Sequence, residues 1–114
     1  MDNKNIKESI VFSNESFTKR ILYDMKDVLV FVLNFKPGQK LPVHKHETSK
    51  VVYKVLSGTG KVKINDSIEE IKEGMIGYVD GEDDFSIPEV EEEMSLYVTI
   101  SPRPKNDIYA KNVG

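Results

Sequence analysis

The chain has 114 residues, 39% hydrophobic and 31% charged, which gives one globular domain with one core and excludes disorder, low complexity and a second domain. The absence of cysteine excludes disulfide scaffolds, thiolate metal sites, iron–sulfur clusters and cysteine nucleophiles. Sixteen Lys and Arg against 19 Asp and Glu leave a net charge of −3 with no basic face, so neither nucleic acid nor an anionic membrane is expected as a partner.

The N-terminus is polar, without the apolar stretch of a secretory signal, and no apolar run nears ~18 residues; a cytoplasmic protein is the expectation. Only the first ~24 residues can be read as helical, and weakly. From there the chain alternates short apolar runs with Gly, Pro, Asn and Asp every ~8–12 residues, the all-β rhythm. Val28–Phe35 is stopped by Pro37-Gly38, and Lys50–Leu56 by Ser57-Gly58-Thr59-Gly60. Lys61–Ile64 turns at Asn65-Asp66 into Ser67–Ile71 as a hairpin. Met75–Val79, Phe85–Ile87 and Met94–Ile100 follow, and Pro102 and Pro104 end the sheet. The acidic stretches Glu82–Asp84 and Glu89–Glu93 read as solvated loops and edges. About eight short strands in ~80 residues predict a small barrel or double-sheet jelly roll. The chain divides into an N-terminal extension (1–27) that packs on or joins the sheet, one barrel (28–104) and a polar tail (105–114) expected to fray.

Only two histidines are present, and they stand two apart at His44 and His46. Neighbours at i and i+2 on a strand share a face, so both imidazoles can converge on one point, as ligands of a first-row metal do. An exposed pair in a loop is the bland alternative, and His-x-His alone is a weak motif.

The surroundings sharpen it. Gly38, His44, His46 and Gly58 match the spacing of G-x5-H-x-H-x3,4-E-x6-G, the first motif of the cupin superfamily. Tyr53-Lys54-Val55-Leu56-Ser57-Gly58-Thr59-Gly60 and Ser101-Pro102-Arg103-Pro104 also look cupin-like. The chain from Val28 to Pro104 therefore resembles a cupin. The resemblance implies an all-β, double-stranded β-helix or jelly-roll barrel, commonly a homodimer, with any site inside the barrel mouth.

The departures from the motifs bear on function. Val51, or Lys50 at the other allowed spacing, stands where the family has its metal-binding Glu. Of the second motif, G-x5-P-x-G-x2-H-x3-N, only Gly74 survives, and Phe85 replaces the histidine. Two ligands of four remain, enough for a weakly bound divalent transition metal and short of a tight one. Glu82, Asp83 and Asp84 can complete a site only if their loop folds inward, and Glu47 has the wrong parity.

Strand parity sends Val51, Tyr53 and Val55 inward and Lys50, Val52 and Lys54 outward. With Phe85 and Tyr78, they predict an apolar, aromatic pocket carrying the two imidazoles, the make-up of a small-molecule site. A barrel plugged by the same side chains is the alternative. A histidine–tyrosine acid–base pair, as in cupin-like sugar epimerases, is set aside because no basic residue of the pocket strands is expected to face inward. The leading expectation is a cupin that binds a small organic ligand in its interior with no tightly held cofactor. A metal-dependent dioxygenase or isomerase using His44 and His46 with other ligands, and a filled structural dimer, are the competing readings. A homodimer is expected because Val28–Phe35 is apolar at both parities, so one face needs a cover from outside the barrel.

Overall fold

A computed structural model describes residues 1–114. It contains seven strands: β1 (Thr18–Asp24), β2 (Leu29–Phe35), β3 (Leu41–His44), β4 (Lys50–Ile64), β5 (Ser67–Lys72), β6 (Ile76–Asp80) and β7 (Phe85–Ser101). Two single 3-10 turns, Ile6–Ser9 and Asp107–Ala110, are the only helical segments. No helix is long and apolar enough to cross a membrane. The strands form one curled antiparallel sheet in the order β1-β2-β7-β4-β5, with β3 added on β7 and β6 on β4.

The long strands β4 and β7 are the frame. They pair along nearly their whole length, from Lys50↔Ser101 to Ile64↔Phe85. The Gly58–Gly60 segment, which reads as a stop in the sequence, bends a continuous strand instead. The register slips repeatedly between Val55 and Lys63, and each bulge adds twist. Gly58 sits at φ 84°, and a Cβ there would lie 1.9 Å from the Glu93 carbonyl oxygen; only glycine lets the two strands approach so closely at the bend. The Glu89–Glu93 run likewise does not interrupt β7. Val90 turns inward while its acidic neighbours face solvent, where Glu89 pairs with Lys61 at 3.0 Å.

The core is built by parity. Leu29, Phe31, Leu33 and Phe35 of β2, Val51, Tyr53 and Val55 of β4, and Leu96, Val98 and Ile100 of β7 form one buried cluster. The other face of β2 is covered by the chain itself. Asn34 donates to the Ser9 carbonyl at 2.8 Å and to Thr18 Oγ1 at 3.0 Å, and Ser95 donates to Asn34 at 2.7 Å. Val30 and Val32 are buried on that side within a single protomer, so the apolar character of this strand requires no second copy. The N-terminal residues expected to lean helical supply the cover and then strand β1, which pairs with β2 from Thr18↔Asn34 to Asp24↔Leu29.

The polar tail is also ordered by partners. Lys19 and Val113 exchange both backbone hydrogen bonds at 2.8 and 3.0 Å, and the Ile21 N–H donates to Asn112 at 2.7 Å. Arg103 joins Asp24 and Asp107, anchoring the tail's 3-10 turn to the end of β1. The tail thus closes the free edge of β1 instead of fraying.

Candidate functional site

Between β1, β2, β3, β7 and the tail lies a cavity of about 360 Å³. Its walls are mostly apolar: Phe31 and Leu33 from β2, Leu41 and Pro42 from β3, Val51 from β4, and Leu96 and Val98 from β7. Lys19, His44, His46 and Tyr109 bring the polar atoms, and no acidic residue lines it.

Four of the residues singled out in the sequence meet here: His44, His46, Val51 and Phe85. Strand β3 ends at His44, so His46 reaches the cavity from the following loop and not from the strand. The loop is held by backbone bonds from His46 N–H to Gly81 and from Ser49 N–H to His46. Gly81 is required there, because a Cβ would lie 1.9 Å from the His46 carbonyl oxygen. The two imidazoles meet edge to face with centroids 4.6 Å apart, and Phe85 lies 5.5 Å from His44.

Two tyrosines do not line the cavity. Tyr53 is buried but stacks on Phe85 at 6.2 Å, with its ring lying over the bare backbone of Gly77. Tyr78 is 58% exposed on the outer face opposite Val52, with Lys50 and Asp80 beside it. Its parity on β6 is the reverse of the one expected. The acidic loop also stays out. Asp83 accepts from Asn65 at 3.1 Å, and Asp84 lies 3.9 Å from Lys45.

His44 donates from Nδ1 to the Pro42 carbonyl at 2.8 Å, since a carbonyl can only accept. Its Nε2 therefore carries the lone pair. Burial, and secondarily the Lys19 charge, lower the His44 pKa against the opposing bond to Pro42. His46 is 6% exposed, and its Nδ1 is buried with no hydrogen-bond partner. Burial above all, then the neighbouring His44 and Lys19, push its pKa down to about 4. Both imidazoles are neutral at pH 7. The fold family implies a metal at this pair, and the donor set present falls short of one. No group of three or more His, Asp or Glu side chains converges so as to hold a metal ion. A two-imidazole set is one or two protein donors short of a zinc-type shell.

Sequence reasoning missed Lys19. Its side chain is 8% exposed and reaches the cavity from β1. Nζ donates to the Tyr109 carbonyl and lies 4.2 Å from the centre of the Phe31 ring. Burial drives its pKa down to about 8. The expectation that no basic residue faces inward is thus wrong for β1. The readable signal was Phe17-Thr18-Lys19-Arg20-Ile21: Phe17 and Ile21 pack on the core, and Lys19 shares their parity. Tyr109 was missed with it. Its ring covers His46 at 4.9 Å and its hydroxyl donates to the Lys45 carbonyl at 3.3 Å.

A curled antiparallel barrel with an apolar interior and a histidine pair at its mouth is the cupin architecture. The sequence profile described as auxin binding protein matches residues 9–79, more than half of the chain, and the protein belongs to that family. Among solved structures, TT1209 from Thermus thermophilus is 25% identical over 91% of this chain and 100% of its own, with a TM-score of 0.83. An RmlC-like cupin from Desulfovibrio desulfuricans is 25% identical over 90% of this chain and 97% of its own, with a TM-score of 0.80. Ectoine synthase from P. lautus, 15% identical over 90% of this chain and 78% of its own at a TM-score of 0.73, shares the fold. No curated protein matches the sequence.

Proposed function

We propose that the protein binds a small organic ligand inside the barrel, without a tightly held metal. The observation that carries this reading is the cavity itself. About 360 Å³ with apolar walls and a few polar groups gathered at one end is the usual form of a small-molecule site, and it speaks against a barrel plugged by its own side chains. The shortage of donors argues against tight metal binding. Val51 and Phe85 occupy the cavity wall where the cupin motifs carry a carboxylate and an imidazole, and neither side chain has a lone pair to offer. The family's description as auxin binding protein supports a binding role over a catalytic one.

The test is occupancy of the cavity by neutral aromatics. Toluene and phenol, titrated into isotope-labelled protein, are expected to shift the NMR signals of Val51, Leu96 and Val98 with saturation. Val98→Phe, which fills the space, is expected to abolish those shifts while the barrel stays folded. Absence of saturable shifts at millimolar probe, or shifts that survive Val98→Phe, would sink the reading.

A further inference from the structure

The barrel interior holds a primary amine in surroundings unlike those of a surface lysine. Lys19 is 8% exposed and lines the cavity from β1. It forms no ion pair, since the cavity lining contains no Asp or Glu and Lys19 is absent from every salt bridge in the molecule. The Tyr109 carbonyl is the one protein group that accepts a hydrogen bond from Nζ, and the centre of the Phe31 ring lies 4.2 Å away. A carboxylate partner would hold the third proton on the nitrogen and keep its lone pair occupied. Here no such partner exists, and apolar walls disfavour the charged form. Burial accordingly draws the Lys19 pKa down to about 8. A lysine desolvated in an apolar pocket is an amine nucleophile, and its natural electrophile is a carbonyl carbon.

We propose that Lys19 is a covalent capture site for small apolar aldehydes and ketones, which it holds in the cavity as an imine on Nζ. The step balances without a cofactor, and nothing is oxidised or reduced. The Nζ lone pair attacks the carbonyl carbon while the C=O π bond opens, giving a carbinolamine. The carbinolamine oxygen then leaves as water with the two amine hydrogens, and a C=N bond remains. The third proton of the starting ammonium passes to solvent, because an imine nitrogen is a weaker base than an amine. Capture therefore removes the uncompensated charge from the barrel interior, and the burial that penalises the ammonium favours the adduct. The body of the carbonyl compound has Phe31, Val51, Leu96 and Val98 for walls. This inference rests on the proposed binding function and goes beyond it, from occupancy of the cavity to a reversible bond at a residue outside the cupin motifs.

The experiment incubates the protein at pH 7 with benzaldehyde and cyanoborohydride, which reduces an imine to a stable benzylamine, and peptide mapping by mass spectrometry gives the rate at each lysine. The lowered pKa leaves roughly 300-fold more free amine on Lys19 than on an ordinary lysine at this pH. Lys19 is expected to be benzylated about tenfold or more faster than any other lysine, after allowance for the lower nucleophilicity of a weaker base. Saturating toluene is expected to slow Lys19 and leave the surface lysines unchanged. In Lys19→Met and Lys19→Arg the fast adduct is expected to vanish, while toluene still shifts the Val51, Leu96 and Val98 signals; two variants guard against a folding defect in either. Toluene that binds while Lys19 reacts no faster than the surface lysines overturns the capture site and leaves the cavity reading standing. Fast labelling of Lys19 that bound toluene does not slow places the reaction outside the cavity and also overturns the proposal. If toluene does not bind the wild type and Lys19 is not selected, the cavity reading fails and the inference with it.

Discussion

Replacing Lys19 by Met should make the unliganded protein more stable, although it removes a buried side chain's hydrogen bond. The fold holds the ammonium at a pKa of about 8, against 10.5 for an ordinary lysine, with burial as the cause. At ~1.36 kcal/mol per unit, (10.5 − 8) gives a penalty of about 3 kcal/mol carried by the charged form in the folded state. The sign follows from proton counts. Between pH 8 and 10.5 the unfolded chain keeps the proton and the folded one has lost it, so wild-type stability rises with pH across that window. Below pH 8 the whole penalty applies. Met loses the bond to the Tyr109 carbonyl, about 1 kcal/mol, and the contact with the Phe31 face, also about 1 kcal/mol. The net expectation at pH 7 is a gain of about 1 kcal/mol, raising Tm by roughly 4 °C for a domain of this size. Above pH ~10.5 the gain is expected to vanish or reverse. The titratable groups facing Lys19 are His44, His46 and Tyr109, and each is present in both proteins, so the difference between the two curves isolates the lysine. Urea unfolding at pH 7, 9 and 10.5 measures it. A Lys19→Met protein less stable than wild type at pH 7, with a difference that does not change with pH, would refute the reasoning.

Acid should act through His46. Its folded pKa of about 4 lies below the ordinary 6.5, so the fold favours the neutral ring and stability is lost as pH falls from 6.5 toward 4, by up to about 3 kcal/mol. His46→Gln is expected to flatten that part of the urea-unfolding profile, and equal acid sensitivity in both proteins would contradict the assignment. As for metal, protein dialysed against a chelator is expected to retain far less than one equivalent of zinc and to stay folded. The Val51→Glu, Phe85→His double variant is expected to hold about one equivalent through the same dialysis. Elemental analysis decides, and wild-type protein that keeps a full equivalent would refute the donor count.

The strand rhythm made the barrel legible because period-2 burial is a local property, and Val51 and Phe85 could be placed by motif spacing. What failed was judging where a strand stops. Gly58 and Gly60 look like terminators and Glu89–Glu93 like a loop or edge, yet β4 and β7 run through them, since a bulged strand keeps its partner. The expected position of Tyr78 relied on the wrong parity for β6, a five-residue strand with only Val79 fully buried. Lys19 and Tyr109 were hidden for a different reason. Each lies in a segment whose structure is imposed by distant partners: β1 is made a strand by β2, and the tail is held by Lys19, Ile21 and Arg103. The alternation of Phe17, Lys19 and Ile21 gives the face Lys19 shares, but nothing local says which strand or tail segment either residue meets.

The absent metal ligands and the buried lysine describe one change in the site. A cupin that holds a divalent ion sets a carboxylate beside its histidines, which offsets part of the ion's charge. Here that position is Val51, and a cation enters from β1 instead. The Lys19 charge already lowers the pKa of both imidazoles. A dication on those rings would meet the same repulsion at twice the charge, in a cavity with apolar walls and no carboxylate to screen it. Lys19 and a tightly held metal therefore oppose each other.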